Sequence, residues 1–129
     1  MDTSRLKALP LFESVPDSDL DKISPFMSEV SVSEGKPLVK EGDYAYEFMA
    51  IEEGTAEVLR GDETLAELGP GDFFGEMGLL GHDRRNATVV AKSPMRLITL
   101  DQWDMKRLEK AVPSAAEKIK RAAEQRREA

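Results

Sequence analysis

Between residues 28 and 100 the chain alternates short runs of apolar and β-branched residues with glycine-centred breaks. The runs EVSVSE, PLVKEG, YEFMAIEEG, TAEVLRG, ETLAELG, ATVVAK and MRLITL are each long enough for one short strand. Gly35, Gly42, Gly54, Gly61 and Gly69 punctuate them, several beside an aspartate that favours a turn. Short strands at this spacing predict a sandwich or barrel, and about eight of them suffice for a jelly roll, the double-stranded β-helix.

Both flanks change to helical spacing. DSDLDKISPFM, residues 17–27, predicts a short helix with Leu20 and Ile23 on one face and Asp17 or Ser18 as its cap. Leu9, Leu11, Phe12 and Val15 are expected to pack around a preceding turn or short helix. After the strands, DQWDMKRLEKA predicts a helix capped by Asp101, with Trp103, Leu108 and Val112 turned inward and Pro113 ending it. Trp103 is read as core rather than as a ligand-stacking residue. Ser114-Ala115-Ala116-Glu117 has the pattern of a capping box opening a last helix. The apolar stripe of that helix (Ala115, Ile119, Ala122, Ala123) is thin, so it docks weakly or in one state only. The expectation is a mainly β chain with flanking helices. It has an N-terminal helical segment over 1–27, a jelly roll over 28–100 and two C-terminal helices over 101–129, all in one domain.

Composition narrows the function. There is no cysteine, which removes disulfides and thiolate metal sites and fits a reducing compartment. No apolar run reaches the ~18 to 20 residues that cross a bilayer, and MDTSRLKALPLF lacks an apolar signal core. A cytoplasmic protein without a membrane span is expected. The net charge of −7 disfavours direct nucleic-acid binding. An anionic ligand would need a local positive site, helped by screening of the distant field over about 10 Å.

One stretch supplies such a site: FFGEMGLLGHDRRNATVVA, residues 73–91. Between Phe74 and Leu80 it changes from strand to helix character. A helix of one or two turns starting near Gly75 would present free amide N–H groups with partial positive charge, suited to a phosphate. Gly75 and Gly78 carry no Cβ, so ligand oxygens can approach the backbone. Glu76 can accept hydrogen bonds from a sugar hydroxyl, and Arg85 offers a rigid fork of donors for phosphate oxygens. Together they suit a sugar phosphate bearing one negative charge. Read singly, each has a plainer account: the glycines shape a tight turn, Glu76 and Arg85 form a salt bridge, and Arg84 is a solvated neighbour. His82 is the only histidine, which excludes a histidine metal triad and leaves no catalytic residue to name. Gly69-Pro70-Gly71 is a turn and not a phosphate loop, since no Gly-Lys-Ser/Thr follows. The basic residues Lys118, Lys120, Arg121, Arg126 and Arg127 alternate with Glu117, Glu124 and Glu128, the mark of a solvated helix face with pairs such as Glu117–Arg121.

The block Phe74-Gly75-Glu76-Met77-Gly78-Leu79, followed by Arg85-Asn86-Ala87-Thr88-Val89, closely resembles the phosphate-binding cassette of cyclic nucleotide-binding domains. The family includes catabolite activator protein-like and cyclic AMP-dependent kinase regulatory-type domains. The resemblance extends to LKALPLFESVPDSDLDKI, to Val39-Lys40-Glu41-Gly42-Asp43, to Leu100-Asp101-Gln102-Trp103 and to Val112-Pro113. It implies a jelly roll with the cassette at 73–89 and a short cassette helix. Glu76 would hold the ribose 2′-hydroxyl and Arg85 the cyclic phosphate. Amides near Gly75, Gly78 and Asn86 would complete the cradle, within a binding stretch that includes Met77, Leu79 and Ala87. A C-terminal helix, matched by 114–128, would close over the base, with Ile119 its one large apolar lid residue.

Asn86 stands where cyclic AMP sites of the family often have Ala and cyclic GMP sites Thr; cyclic AMP is favoured, with cyclic GMP open. No helix-turn-helix, kinase or channel segment follows within these residues. The output is therefore expected to come from another protein or from residues beyond these, and the expected role is a stand-alone, non-catalytic sensor, without metal or cofactor, that reports occupancy to a protein effector. The family also allows a homodimer. Two other functions compete. A metal-dependent cupin enzyme is opposed by the single histidine. A degenerate domain serving as a protein-interaction module is favoured by the weak lid.

Overall fold

The computed structural model describes residues 2–13, 15–42, 47–74, 87–114, 116–118 and 120–121. Its strands are β1 (Ser28–Val32), β2 (Pro37–Val39), β3 (Glu47–Glu53), β4 (Ala56–Arg60), β5 (Glu63–Leu68), β6 (Phe73–Phe74), β7 (Thr88–Ala91) and β8 (Met95–Asp101). They form two four-stranded sheets, in the orders β1-β8-β3-β6 and β2-β7-β4-β5. Every pairing is antiparallel. Consecutive strands change sheet at each connection except β4 to β5, which pair as a hairpin through Gly61 and Asp62. That order is a jelly roll. Gly61, at φ +60, takes the first central position of the hairpin, where a left-handed residue keeps the turn in step with strand twist.

Alternation along the strands separates two cores. Phe48, Ala50, Ile98 and Leu100 face outward from the first sheet into a helical cluster. Met49, Ile51, Met95 and Leu97 face inward, meeting Ala56, Leu68, Val89 and Ala91 of the second sheet. β8 lies between β1 and β3 and is buried from Leu97 to Leu100, with neighbours on both faces. A fully buried side chain such as Ile98 is worth about 2 to 5 kcal/mol against alanine.

The described helices pack on the outer face of the first sheet. Helix α1 (Thr3–Lys7), a 3₁₀ turn (Pro10–Phe12), α2 (Asp17–Ile23) and a second 3₁₀ turn (Ser24–Phe26) precede the barrel. Leu6, Leu9, Phe12, Val15, Leu20 and Ile23 are buried there. Asp17 opens α2 as its first helical residue; Pro16 takes the cap position and makes no side-chain bond, so neither Asp17 nor Ser18 is the cap. Asp17 still acts at that end as an acidic first-turn residue favoured by the helix dipole.

After the barrel, α3 (Gln102–Ala111) begins where the Asp101 carboxylate accepts the Asp104 N–H at 2.7 Å. Met105, Leu108 and Val112 point inward. Trp103 does not: it is 57% exposed, with Lys106 Nζ 5.1 Å from the centre of its ring. Positions 105, 108 and 112 form the buried stripe, and 103 falls off it. Val112 leaves helical geometry at φ −140, and residues 113 and 114 are already helical again. The Ala116 N–H bonds to the Val112 carbonyl, so Ser114 lies inside this helix rather than capping it. Pro113 takes an early position where no amide is needed. Glu117 and Arg121 pair at 2.6 Å, as their spacing predicts.

Ionic contacts tie α1 to the sheet. Arg5 donates from Nε to Glu52 at 2.7 Å and from Nη1 to Glu29 at 3.0 Å. Arg96 approaches Glu29 at 3.4 Å and Glu53 at 3.4 Å. Hydrogen bonds to Glu52 and then Glu29 raise the Arg5 pKa, and the Arg5 hydrogen bond lowers that of Glu29.

Candidate functional site

The glycine-rich motif runs from β6 into β7, that is, from one sheet to the other. Gly75, Glu76, Met77, Gly78, Leu79, Arg85 and Asn86 lie outside the described residues, as do His82, Arg84 and Ile119. The expected cassette helix falls there too. What the structure describes is the frame that carries the motif.

On the N-terminal side, Phe73 and Phe74 pair with Ala50 and Met49 of β3. Phe74 is buried between the sheets. Phe73 turns the other way, its ring 5.3 Å from that of Phe48 in the helical core. The approach to β6 is held as well. Gly71 sits at φ +91, its N–H bonded to the Ile51 carbonyl, and the Asp72 carboxylate accepts the Gly69 N–H at 2.8 Å. Gly69-Pro70-Gly71 is therefore a turn that sets the direction of β6.

On the C-terminal side, Ala87 is half-buried just before β7. β7 pairs on one side with β2 and on the other with β4, bringing Thr88 opposite Leu59 and Val89 opposite both Val39 and Val58. Val39 and Val58 pack partly buried against the inter-sheet core. The Thr88 hydroxyl accepts the Glu41 N–H at 3.0 Å, and the Glu41 carboxylate accepts the Gly61 N–H at 3.2 Å. Two turns from different parts of the chain are thus laced to the residue that follows Ala87. Nearby on β4, Glu57 takes hydrogen bonds from Thr64 and then Lys92, which hold its carboxyl below the usual range.

Sequence reasoning singled out the motif, and the structure describes the strands on either side of it. That reasoning missed Glu41 and Thr88 as a brace, because their contact spans 47 positions and has no local signature. Among the described residues no group of three or more His, Cys, Asp or Glu is placed to hold a metal ion, and no helix is long and apolar enough to cross a membrane.

Two sheets in this strand order, helices packed on one of them, and a glycine-rich segment between β6 and β7 define the class: a helix-flanked jelly-roll domain. The chain belongs to the cyclic nucleotide-binding domain family, whose model matches residues 29–111. It is 35% identical over 106 residues to a cAMP-dependent protein kinase regulatory subunit of Schizosaccharomyces pombe, covering 81% of this chain and 26% of that protein. It is 34% identical over 120 residues to a cyclic nucleotide-gated potassium channel of Rhizobium etli, covering 93% of this chain and 34% of that one. The chain thus spans about a quarter to a third of these relatives' length.

Among solved structures, the N-terminal domain of a transcriptional regulator from Streptomyces coelicolor A3(2) superposes with a TM-score of 0.81 at 28% identity, covering 98% of this chain and 92% of that one. The catabolite activator protein of Thermus thermophilus gives 0.80 at 29% identity, covering 91% and 57%.

Proposed function

We propose that this chain is a non-catalytic cyclic nucleotide sensor, with cyclic AMP the favoured ligand and cyclic GMP the competitor. Glu76 holds the ribose 2′-hydroxyl, and Arg85 pairs with the cyclic phosphate. Amides near Gly75, Gly78 and Asn86 complete the cradle, and Met77, Leu79 and Ala87 line it. The observation that carries this reading is the family match over residues 29–111, which contains the whole motif, on a frame that braces both its ends. The described neighbours suit it: Val39 and Val58 offer apolar surface beside the β7 residues that follow Arg85 and Asn86. Occupancy shifts a conformational population through the C-terminal helices, with Ile119 in the lid, and a protein effector reads it. The protein works in the cytoplasm.

Titration calorimetry with cyclic AMP, cyclic GMP and AMP tests this. The wild-type chain binds the cyclic forms selectively. Arg85→Ala costs about 3 to 5 kcal/mol, the loss expected when one member of a desolvated ion pair is removed. Glu76→Ala costs about 1.5 to 3 kcal/mol for a charge-assisted hydrogen bond. Lys40→Ala, at an exposed position, changes little. Equal affinities for the Arg85 and Lys40 variants would refute the assignment. Absence of binding in a chain that melts cooperatively would leave the interaction-module reading.

A further inference from the structure

A cavity of about 180 Å³ opens between β1, β8 and β3 on one side and the start of β2 on the other. Leu97, Met49, Val32 and Thr99 form its floor, each at most 9% exposed. Val30, Lys36 and Pro37 form its exposed rim. Its lining comes from the end of β2 that pairs with Val90, not the end that pairs with Val89 next to the glycine-rich motif. It is also small for a nucleotide, since ligand pockets for such molecules run to about 300 Å³ or more.

Two features make it more than a packing defect. Thr99 is 7% exposed, and its hydroxyl has no hydrogen-bond partner among the described residues. A buried hydroxyl left unmatched is unfavourable, and the opening beside it is where a partner would stand. Lys36 is the one cation of the lining, and it enters no ion pair among the described residues. The remaining walls are apolar apart from these two groups. An apolar cavity of about 150 Å³ accepts a benzene ring, so this one has room for about six carbon atoms and a polar head.

We propose that this cavity is a second ligand site, separate from the nucleotide site, for a small monocarboxylate with an apolar body of about six carbons. The hydrocarbon lies against Val32, Met49 and Leu97, the Thr99 hydroxyl donates to one carboxylate oxygen, and Lys36 neutralises the charge at the rim. The sequence carries no sign of it, because Thr99 reads as one more β-branched residue of a strand.

The test is an NMR titration of the full chain saturated with cyclic AMP, using hexanoate, benzoate and 1-hexanol as probes. Hexanoate or benzoate should give saturable amide shifts at Val30, Val32, Leu38 and Thr99, with hexanol weaker. Thr99→Val, nearly the same shape, should weaken the carboxylates about fivefold, the worth of one net hydrogen bond. Lys36→Gln, at an exposed position, should remove the preference for carboxylate over alcohol. Shifts that fail to saturate, that are the same in both variants, or that centre on residues 75–86 would overturn the proposal. Ordered water at Thr99 with no carboxylate effect would overturn it equally.

Discussion

At Gly54, between β3 and β4, a Cβ would stand 2.5 Å from the Pro94 carbonyl oxygen and 2.9 Å from Met95 Cα, with φ already at +95. Backbone cannot yield as a flexible side chain can. Gly54→Ala should therefore cost about 3 kcal/mol or more, from a left-handed conformation and a backbone clash together. Gly61→Ala, at φ +60 with nothing within 4 Å, meets only the first of these and should cost about 1 to 2 kcal/mol. Urea unfolding of the two variants checks the ranking, and equal midpoints would contradict it. Both glycines announced turns in the sequence, but only the fold shows that Gly54 also lies against the chain before β8.

Elements differ in how far their sequence could be read. The strands were legible because their runs and breaks alternate at regular spacing, and β1 to β5, β7 and β8 fall on the expected runs. β6 is only Phe73–Phe74, too short to show a period, and was seen only as the lead into the motif. The α3 cap was legible because Asp101 reaches an amide three residues on. Asp101→Ala should lose about 1 kcal/mol in thermal or urea unfolding, and an unchanged midpoint would mean the cap contributes nothing. Trp103 and Ser114 misled for one reason: a residue type was weighed above its place on the helix. Trp103 lies off the 105, 108, 112 stripe, and Val112 with Pro113 begins the next helix before Ser114 is reached. The chemistry proposed for the candidate site rests on a motif in which glycine, carboxylate and guanidinium are close in sequence, at positions outside the described residues. Its brace was not, because Glu41, Gly61 and Thr88 meet only in three dimensions.

For the whole molecule, acid stability turns on surface carboxylates. Glu29 is held below its ordinary value of 4.5 by Arg5, Glu57 below 4.5 by Thr64 and Lys92, and Asp2 below 3.8 by the Ser4 amide and hydroxyl. A depressed folded-state pKa adds stability above the ordinary value and loses it as pH falls through the folded value. The melting temperature should therefore hold near neutrality and fall below pH 4.5, the ordinary value for Glu29 and Glu57. Arg5→Leu should lower it at pH 7 and flatten that acid limb, and so should added salt, since these groups lie at or near the surface. Parallel acid limbs for wild type and variant would dismiss the Arg5 cluster as the cause.

The paired phenylalanines of β6 carry a mechanical consequence. Phe73 is seated among the helices and Phe74 between the sheets, on opposite sides of a single layer of backbone. A pull on the chain just after them cannot load one core without loading the other. The two residues that lead into the glycine-rich segment are therefore fastened on both faces of the sheet at once, with β3 holding the backbone between them.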